Sequence, residues 1–141
     1  MFVDGDDFLD NDFCEKLYDL AKNSDADIAK GLAKTIHEDG AISIAKDNDQ
    51  IRLKGKSRFW GYMWAALYRR NFLEKHNIRF HVDFFCFQIQ AVYFANKISC
   101  LDIAFYNYVR HPNSCNSEFF TLEKWLRLNV GHGNFVYQWL E

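Results

Sequence analysis

The sequence predicts an α/β fold, or an α+β fold if the chain is only part of a larger domain. Three observations support this prediction. Phe2 and Val3 run directly into a cluster of aspartates, which predicts a buried strand that ends at polar side chains. Residues 11–23 carry apolar side chains at helical spacing, and residues 98–109 alternate in part as a strand does. With 141 residues, of which 49% are hydrophobic, the chain can bury the core of one domain.

The first half of the chain predicts one helix followed by two strands. The helix is expected over residues 11–23, with Asp10 or Asn11 as its N-cap. The strands are expected at residues 26–36 and 41–45, because a turn-forming Glu-Asp-Gly sequence lies between them.

The second half alternates short apolar segments with polar ones. Residues 59–68 are densely apolar and predict a buried strand or the end of a helix. Asn71 is expected to cap a short helix at residues 72–76. Residues 82–96 are apolar almost all round, which predicts a buried helix. A last helix is expected over residues 118–140.

The charge balance and the cysteines limit the function and the compartment. Seventeen basic and nineteen acidic residues give a net charge of −2, without a basic block, so binding to nucleic acid is disfavoured. The four cysteines are widely spaced, form no CxxC pair and are expected to stay reduced. Since the sequence contains no signal peptide and no apolar run of transmembrane length, we expect a cytoplasmic protein.

The cluster Asp4-Gly5-Asp6-Asp7 is the clearest chemical feature of the sequence. Its three carboxylates lie within four residues and repel one another, and a bound cation would offset that repulsion. Hard oxygen ligands of this kind suit Mg²⁺, Mn²⁺ or Ca²⁺. A solvated turn is the alternative interpretation, and the cluster alone leaves both open.

Several segments occur in an order and spacing that resemble one protein family. These segments are residues 2–10, 15–18, 26–28, 67–74, 77–80, 83–87, 95–99 and 106–114. Together they resemble the C-terminal portion of a family 2 glycosyltransferase, an enzyme that depends on a nucleotide-sugar and has the GT-A fold. The resemblance implies a partial GT-A-like mixed sheet flanked by helices, and a nucleotide-binding N-terminal half that is missing here.

The resemblance gives the acidic cluster a specific role. In this family an aspartate motif holds a divalent cation, Mn²⁺ or Mg²⁺, between the protein and the two phosphates of a nucleotide-diphosphate sugar. The matching positions imply that Asp6 and Asp7 bind the metal, and that Asp4 and Asp6 contact the substrate. The cation would offset the charge that develops on the leaving diphosphate.

Other matched positions imply a catalytic base and a substrate loop. Asp83 matches the base that deprotonates the acceptor hydroxyl, although the acidic residue that often precedes it is replaced by Val82. Capping of the following helix is the alternative role for Asp83. His111 and Ser114 match a loop that contacts substrate, and they also suit a simple turn. Ala66 replaces a polar residue that the family often has before its Leu-Tyr-Arg sequence.

The activity implied is transfer of a sugar to a glycan or lipid-linked acceptor in surface polysaccharide synthesis. Residues 1–116 would form the metal-binding and acceptor-side part, and residues 117–141 a helical segment. Because the nucleotide-binding half is missing, we expect the chain to be inactive alone. A non-catalytic binding or assembly module with the same fold is the main alternative, and a hydrolase in which Asp7 and Asp83 face each other is a weaker one.

Residues 118–140 could either pack on the core of the protein or contact a membrane surface. The apolar side chains of residues 118–140 favour packing on the core over contact with a membrane surface, because the segment lacks a basic face. Peripheral contact with the inner face of the membrane through this helix remains the alternative.

Overall fold

The computed structural model describes residues 1–44, 63–80 and 84–112. In chain order the elements are β1 (Phe8–Leu9), α1 (Phe13–Ser24), β2 (Ile28–Ile36), β3 (Ile42–Ile44), a 3₁₀ turn (Met63–Ala65), β4 (Ala66–Tyr68), α2 (Arg70–Lys75), α3 (Phe84–Phe94) and β5 (Ile98–Val109).

The five strands of the described ranges form one mixed sheet built on β2 and β5. These two strands run parallel, from the pair Ile28 and Ile98 to the pair Ile36 and Val109. Short strands complete the sheet: β1 lies antiparallel on β5, while β3 and β4 pair antiparallel with the two halves of β2. The carboxyl ends of the parallel pair therefore lie side by side, which is where open α/β sheets bind ligands.

Helices cover both faces of this sheet. Ile28 and Ala29 are neighbours in β2, and they belong to different buried clusters because successive strand residues point to opposite faces. The Ile28 cluster includes Phe72 of α2 and Phe87 of α3. The Ala29 cluster includes Phe13 of α1 and residues of β5. This arrangement confirms the predicted mixed α/β sheet with flanking helices.

Gly31 allows α1 to approach the sheet closely. A Cβ atom there would lie 2.6 Å from the carbonyl oxygen of Ala104 and 2.7 Å from Cε2 of Phe13. Both contacts are shorter than van der Waals distances, and the residue sits where the register of β2 on β5 shifts, between Lys30 and Leu32. The close packing of α1 on β5 therefore depends on a missing side chain.

Most of the predicted elements are present within a few residues of their expected bounds. The predicted helix at 11–23 and the strands at 26–36 and 41–45 correspond to α1, β2 and β3, and a positive φ of 80° at Gly40 forms the turn between the strands. Residues 98–109 form one strand with an irregular register. The predicted helix at 118–140 and the proposed boundary at residue 116 lie outside the described residues. In the described ranges, no helix is both long and apolar enough to cross a bilayer.

Three local predictions are wrong. Phe2 and Val3 form no strand, since the edge of β5 pairs with residues after the acidic cluster; the Phe2 ring packs 5.2 Å from that of Phe87, and Val3 is exposed. Asp10 and Asn11 do not cap α1, whose N-cap is Asp12. Asn71 does not cap α2, because that helix already begins at Arg70.

Candidate active site

Residues 4–7, called the acidic turn below, are attached to β5 by three hydrogen bonds. The hydroxyl of Tyr106 donates to Oδ2 of Asp7 at 2.7 Å and accepts from the backbone N–H of Asp4 at 3.1 Å. The backbone N–H of Val109 donates to Oδ1 of Asp7 at 2.8 Å. Within the turn, the N–H of Asp7 donates to the carbonyl of Asp4 at 3.2 Å. The turn is thereby held at the carboxyl end of the parallel strands.

Both carboxylate oxygens of Asp7 thus have a hydrogen-bond donor. Each carboxylate oxygen offers two lone pairs, so a second partner can still bind each of them. Asp7 is half-buried and its direction is fixed from two sides. It can therefore hold the turn in shape and present ligand oxygens at the same time.

Tyr106 connects the acidic turn to the core. Its side chain is fully buried in the cluster that packs under α1. The ring of Trp64 lies 4.0 Å from that of Tyr106, and the same Trp64 ring stacks on Tyr108 at 5.7 Å. Burial raises the pKa of the Tyr106 hydroxyl well above its usual range, and the Asp7 carboxylate raises it further. The hydroxyl therefore keeps the proton that it donates to Asp7.

Asp4 and Asp6 are exposed, and their charges are not balanced within the turn. Burial raises the pKa of Asp4, and the negative charges of Asp7 and Asp6 raise it further. Oδ2 of Asp6 lies 3.7 Å from Nε2 of His111, with roughly half of each side chain in solvent. Asp4, Asp6 and Asp7 thus share one turn, and His111 lies beside Asp6.

Asp10 lies three residues beyond the acidic turn in a different environment. Its carboxylate accepts from the Asn107 side-chain amide at 2.9 Å and pairs with Nζ of Lys34 at 2.9 Å. The same Lys34 ammonium lies 4.1 Å from the centre of the Phe105 ring. The hydrogen bonds from Asn107 and Lys34 lower the pKa of Asp10. Asp10 is therefore a compensated, structural carboxylate.

The acidic turn suits a cation that is shared with a phosphate ligand better than a site made of protein alone. Among the described residues, no three side chains of His, Cys, Asp or Glu are grouped closely enough to hold a metal ion. Mg²⁺ typically uses one or two carboxylates together with water and substrate phosphates. The exposed Asp6 and the fixed Asp7 can supply that number.

A depression of about 270 Å³ adjoins the turn on its His111 side. Four other residues line it together with His111, and they come from the β2–β3 turn and from the end of β5: His37, Glu38, Asp39 and Arg110. A polar ligand that reaches Asp6 could therefore extend along this edge of the sheet.

Two residues of the site are not evident from the sequence, and two predicted site residues lie outside the described residues. The sequence does not distinguish Tyr106 and Trp64 from other core aromatics. Their role depends on a hydrogen bond and a ring contact between segments that are far apart in the chain. The only available signal was the inclusion of residues 106–114 among the matched segments. Asp83 and Ser114 lie outside the described residues, so their roles stay predictions.

Comparison with known proteins supports the resemblance. No family model matches the chain. Two proteins of Bacillus subtilis (strain 168) that are named as glycosyltransferases match it: EpsH is 29% identical over 131 residues, and EpsJ is 28% identical over 130. Each match covers 80% of this chain and 38% of the relative. The chain thus spans little more than a third of the length of these curated relatives.

Solved structures match the fold. S. aureus TarS (residues 1–349) in complex with UDP-GlcNAc superposes with a TM-score of 0.65 and 20% identity, over 86% of this chain and 37% of TarS. The TarS complex with UDP gives a TM-score of 0.61 and 22% identity, over 79% of this chain and 36% of TarS. The chain is thus similar in sequence to proteins named as glycosyltransferases and similar in fold to TarS, which confirms the resemblance and the GT-A-like mixed sheet that its sequence predicted.

Proposed function

We propose that the chain forms the metal-binding and acceptor-side part of an enzyme that transfers a sugar from a nucleotide-diphosphate sugar to a glycan or lipid-linked acceptor. The observation that carries the proposal is the acidic turn, which stands at the carboxyl end of β2 and β5 with the Asp6 carboxylate exposed and the Asp7 carboxylate fixed. The names of EpsH and EpsJ support glycosyl transfer, and the complexes of TarS with UDP-GlcNAc and UDP support a nucleotide-sugar donor.

Asp6 and Asp7 are the residues proposed to hold a divalent cation, Mn²⁺ or Mg²⁺. When bound, the cation would supply positive charge to the two donor phosphates as the leaving diphosphate becomes more negative. Asp4 supports the site from the other end of the turn, where burial and then the charges of Asp7 and Asp6 raise its pKa. His111, 3.7 Å from Asp6, is placed to contact the donor, and Ser114 is proposed to act in the same loop.

Asp83 is proposed as the general base of an inverting displacement. Its carboxylate takes the proton of the acceptor hydroxyl while the acceptor oxygen bonds to the anomeric carbon. The bond from that carbon to the phosphate oxygen breaks, and its electron pair leaves with the nucleoside diphosphate. We further propose that the reaction belongs to surface polysaccharide synthesis and takes place in the cytoplasm, with contact to the inner face of the membrane as the alternative.

The chain alone is expected to bind donor weakly and to be inactive. The proposed test uses the ¹⁵N-labelled chain, titrated with UDP to millimolar concentration in MgCl₂ or in EDTA. We expect amide shifts in residues 4–8 and 109–111 with Mg²⁺ and none in EDTA. Asp6→Asn should weaken binding by roughly tenfold or more, because charged metal ligands set the affinity.

Asp19→Asn is the matched control, since Asp19 is an exposed aspartate of α1 away from the turn. It should bind UDP as the unaltered chain does. Equal shifts in EDTA and in MgCl₂, or no shifts at millimolar UDP, would contradict the proposal.

A non-catalytic binding or assembly module remains the second candidate. One observation favours it: Val82 stands where the family often has an acidic residue. Asp7→Asn separates the two. In a module the substitution would alter stability and leave every metal-dependent property unchanged, whereas in a transferase it would also weaken UDP binding in MgCl₂.

A further inference from the structure

One hydroxyl group makes two of the three bonds between the acidic turn and β5. Tyr106 donates to Oδ2 of Asp7 and accepts from the N–H of Asp4, residues that are 99 and 102 positions away in the chain. The rest of the side chain is fully buried and packs on Trp64. Phenylalanine would fill the same space, so core packing accounts for the ring but not for the hydroxyl.

We propose that Tyr106 is a positioning residue, which fixes the acidic turn in the conformation that binds a divalent cation. This inference rests on the proposed function, because it assigns a role in the same site. Tyr106 bonds to the first and the last residue of the turn, so it sets the curvature between them. Asp6 lies between these two attachment points, and its carboxylate is left exposed.

The bond to Asp7 has a second effect. A donated hydrogen bond orients a carboxylate and takes up one of its lone pairs, so the remaining lone pairs point in fixed directions. The Val109 N–H does the same for the other oxygen of Asp7. A cation therefore meets ligands that are already ordered and does not have to order a flexible acidic loop.

Trp64 holds the Tyr106 ring in the position from which its hydroxyl can reach the turn. The two rings are 4.0 Å apart and inclined by 30°, and Tyr108 packs on the Trp64 ring as well. The contacts that position the turn therefore extend through Tyr106 and Trp64 into the cluster under α1. A substitution that keeps this packing and removes only the hydroxyl isolates its role.

Tyr106→Phe is that substitution, and Tyr18→Phe is its control, because Tyr18 is an exposed tyrosine of α1. Two quantities are measured at 25 °C. Amide hydrogen exchange reports on the Asp4 N–H in the metal-free protein, and water proton relaxation gives the affinity for Mn²⁺ in the presence of UDP. We expect faster exchange at Asp4 and Mn²⁺ binding weaker by about tenfold to a hundredfold in Tyr106→Phe, the usual effect of losing a hydrogen bond to a metal-ligating group. Tyr18→Phe should change neither quantity.

The outcomes separate this inference from the proposed function. If the unaltered chain binds Mn²⁺ with UDP and Tyr106→Phe binds it equally well, the positioning role is wrong and the proposed function stands. If the unaltered chain binds no Mn²⁺, the proposed function fails and the inference fails with it. Unchanged exchange at Asp4 in Tyr106→Phe would also overturn the inference, since the hydroxyl would then not hold the turn.

Discussion

Within residues 4–10, the aspartates of the acidic turn and Asp10 lie in opposite electrostatic environments. Asp10 accepts a hydrogen bond from Asn107 and pairs with Lys34, and both partners lower its pKa. Burial raises the pKa of Asp4, and the like charges of Asp7 and Asp6 raise it further. The first arrangement stabilises the fold, while the second leaves negative charge at the surface for a ligand to neutralise. Carboxylates with unfavourable surroundings at a strand end mark a functional site more clearly than their number does.

The largest change in stability is expected when the acidic turn is detached from β5. Asp7→Ala removes the acceptor for both the Tyr106 hydroxyl and the Val109 N–H. We expect the free energy of unfolding to fall by about 2–3 kcal/mol, because two donors lose a charged partner. Urea denaturation measures this loss. Asp6→Ala is the control, with a change within about 0.5 kcal/mol, since its carboxylate is half exposed. Equal losses in the two variants would show that Asp7 does not anchor the turn.

Removing the compensated carboxylate should have the next largest effect. Asp10→Ala leaves Lys34 and Asn107 without their partner, and we expect a loss of about 1–2 kcal/mol, reduced by the partial exposure of the pair. Asp12→Ala is a suitable control: Asp12 makes no capping hydrogen bond through its side chain, and its pair with Lys16 is more exposed and should contribute about 0.5 kcal/mol or less. If Asp12→Ala cost as much as Asp10→Ala in urea denaturation, Asp10 would not be a special structural carboxylate.

The contribution of Asp10 should also depend on pH with a definite sign. Its pKa is lower in the folded chain than in the unfolded one, so the stabilisation is complete above the unfolded value, about 3.9, and is lost as the pH falls through the folded value. The difference in unfolding free energy between the unaltered chain and Asp10→Asn should therefore be constant near neutral pH and shrink in acid. Urea denaturation across this range measures it, and a difference that grows in acid would contradict the assignment.

The smallest change in stability is expected at Asp4, whose charge has no compensating partner within the turn. The raised pKa of Asp4 means that folding disfavours its charged form, so its contribution to stability is lost as the pH rises through the folded pKa. At neutral pH, Asp4→Asn should be neutral or stabilise the fold by up to about 0.5 kcal/mol. A clear loss of stability, measured by the same denaturation assay, would show that the Asp4 charge is compensated after all.

Local pattern is enough to predict the helices of the described ranges and the β2–β3 hairpin, but not how the acidic turn is held on β5. The sequence wrongly predicts a strand at Phe2 and Val3, because two apolar residues do not reveal whether a backbone partner lies beside them. The sequence also wrongly predicts Asp10 as a helix cap, because its partners, Lys34 and Asn107, lie 24 and 97 residues away in the chain. Such long-range bonds are set by the sheet register, which the sequence does not display.

The central claim is that the acidic turn carries charge for a divalent cation, whereas Asp10 does not. Urea denaturation at fixed ionic strength, with and without MnCl₂, tests it in the unaltered chain, Asp6→Asn and Asp10→Ala. At a Mn²⁺ concentration about ten times its Kd, the unaltered chain and Asp10→Ala should each gain about 1.4 kcal/mol. Asp6→Asn should gain much less. No gain in the unaltered chain, or an equal gain in all three proteins, would contradict the claim.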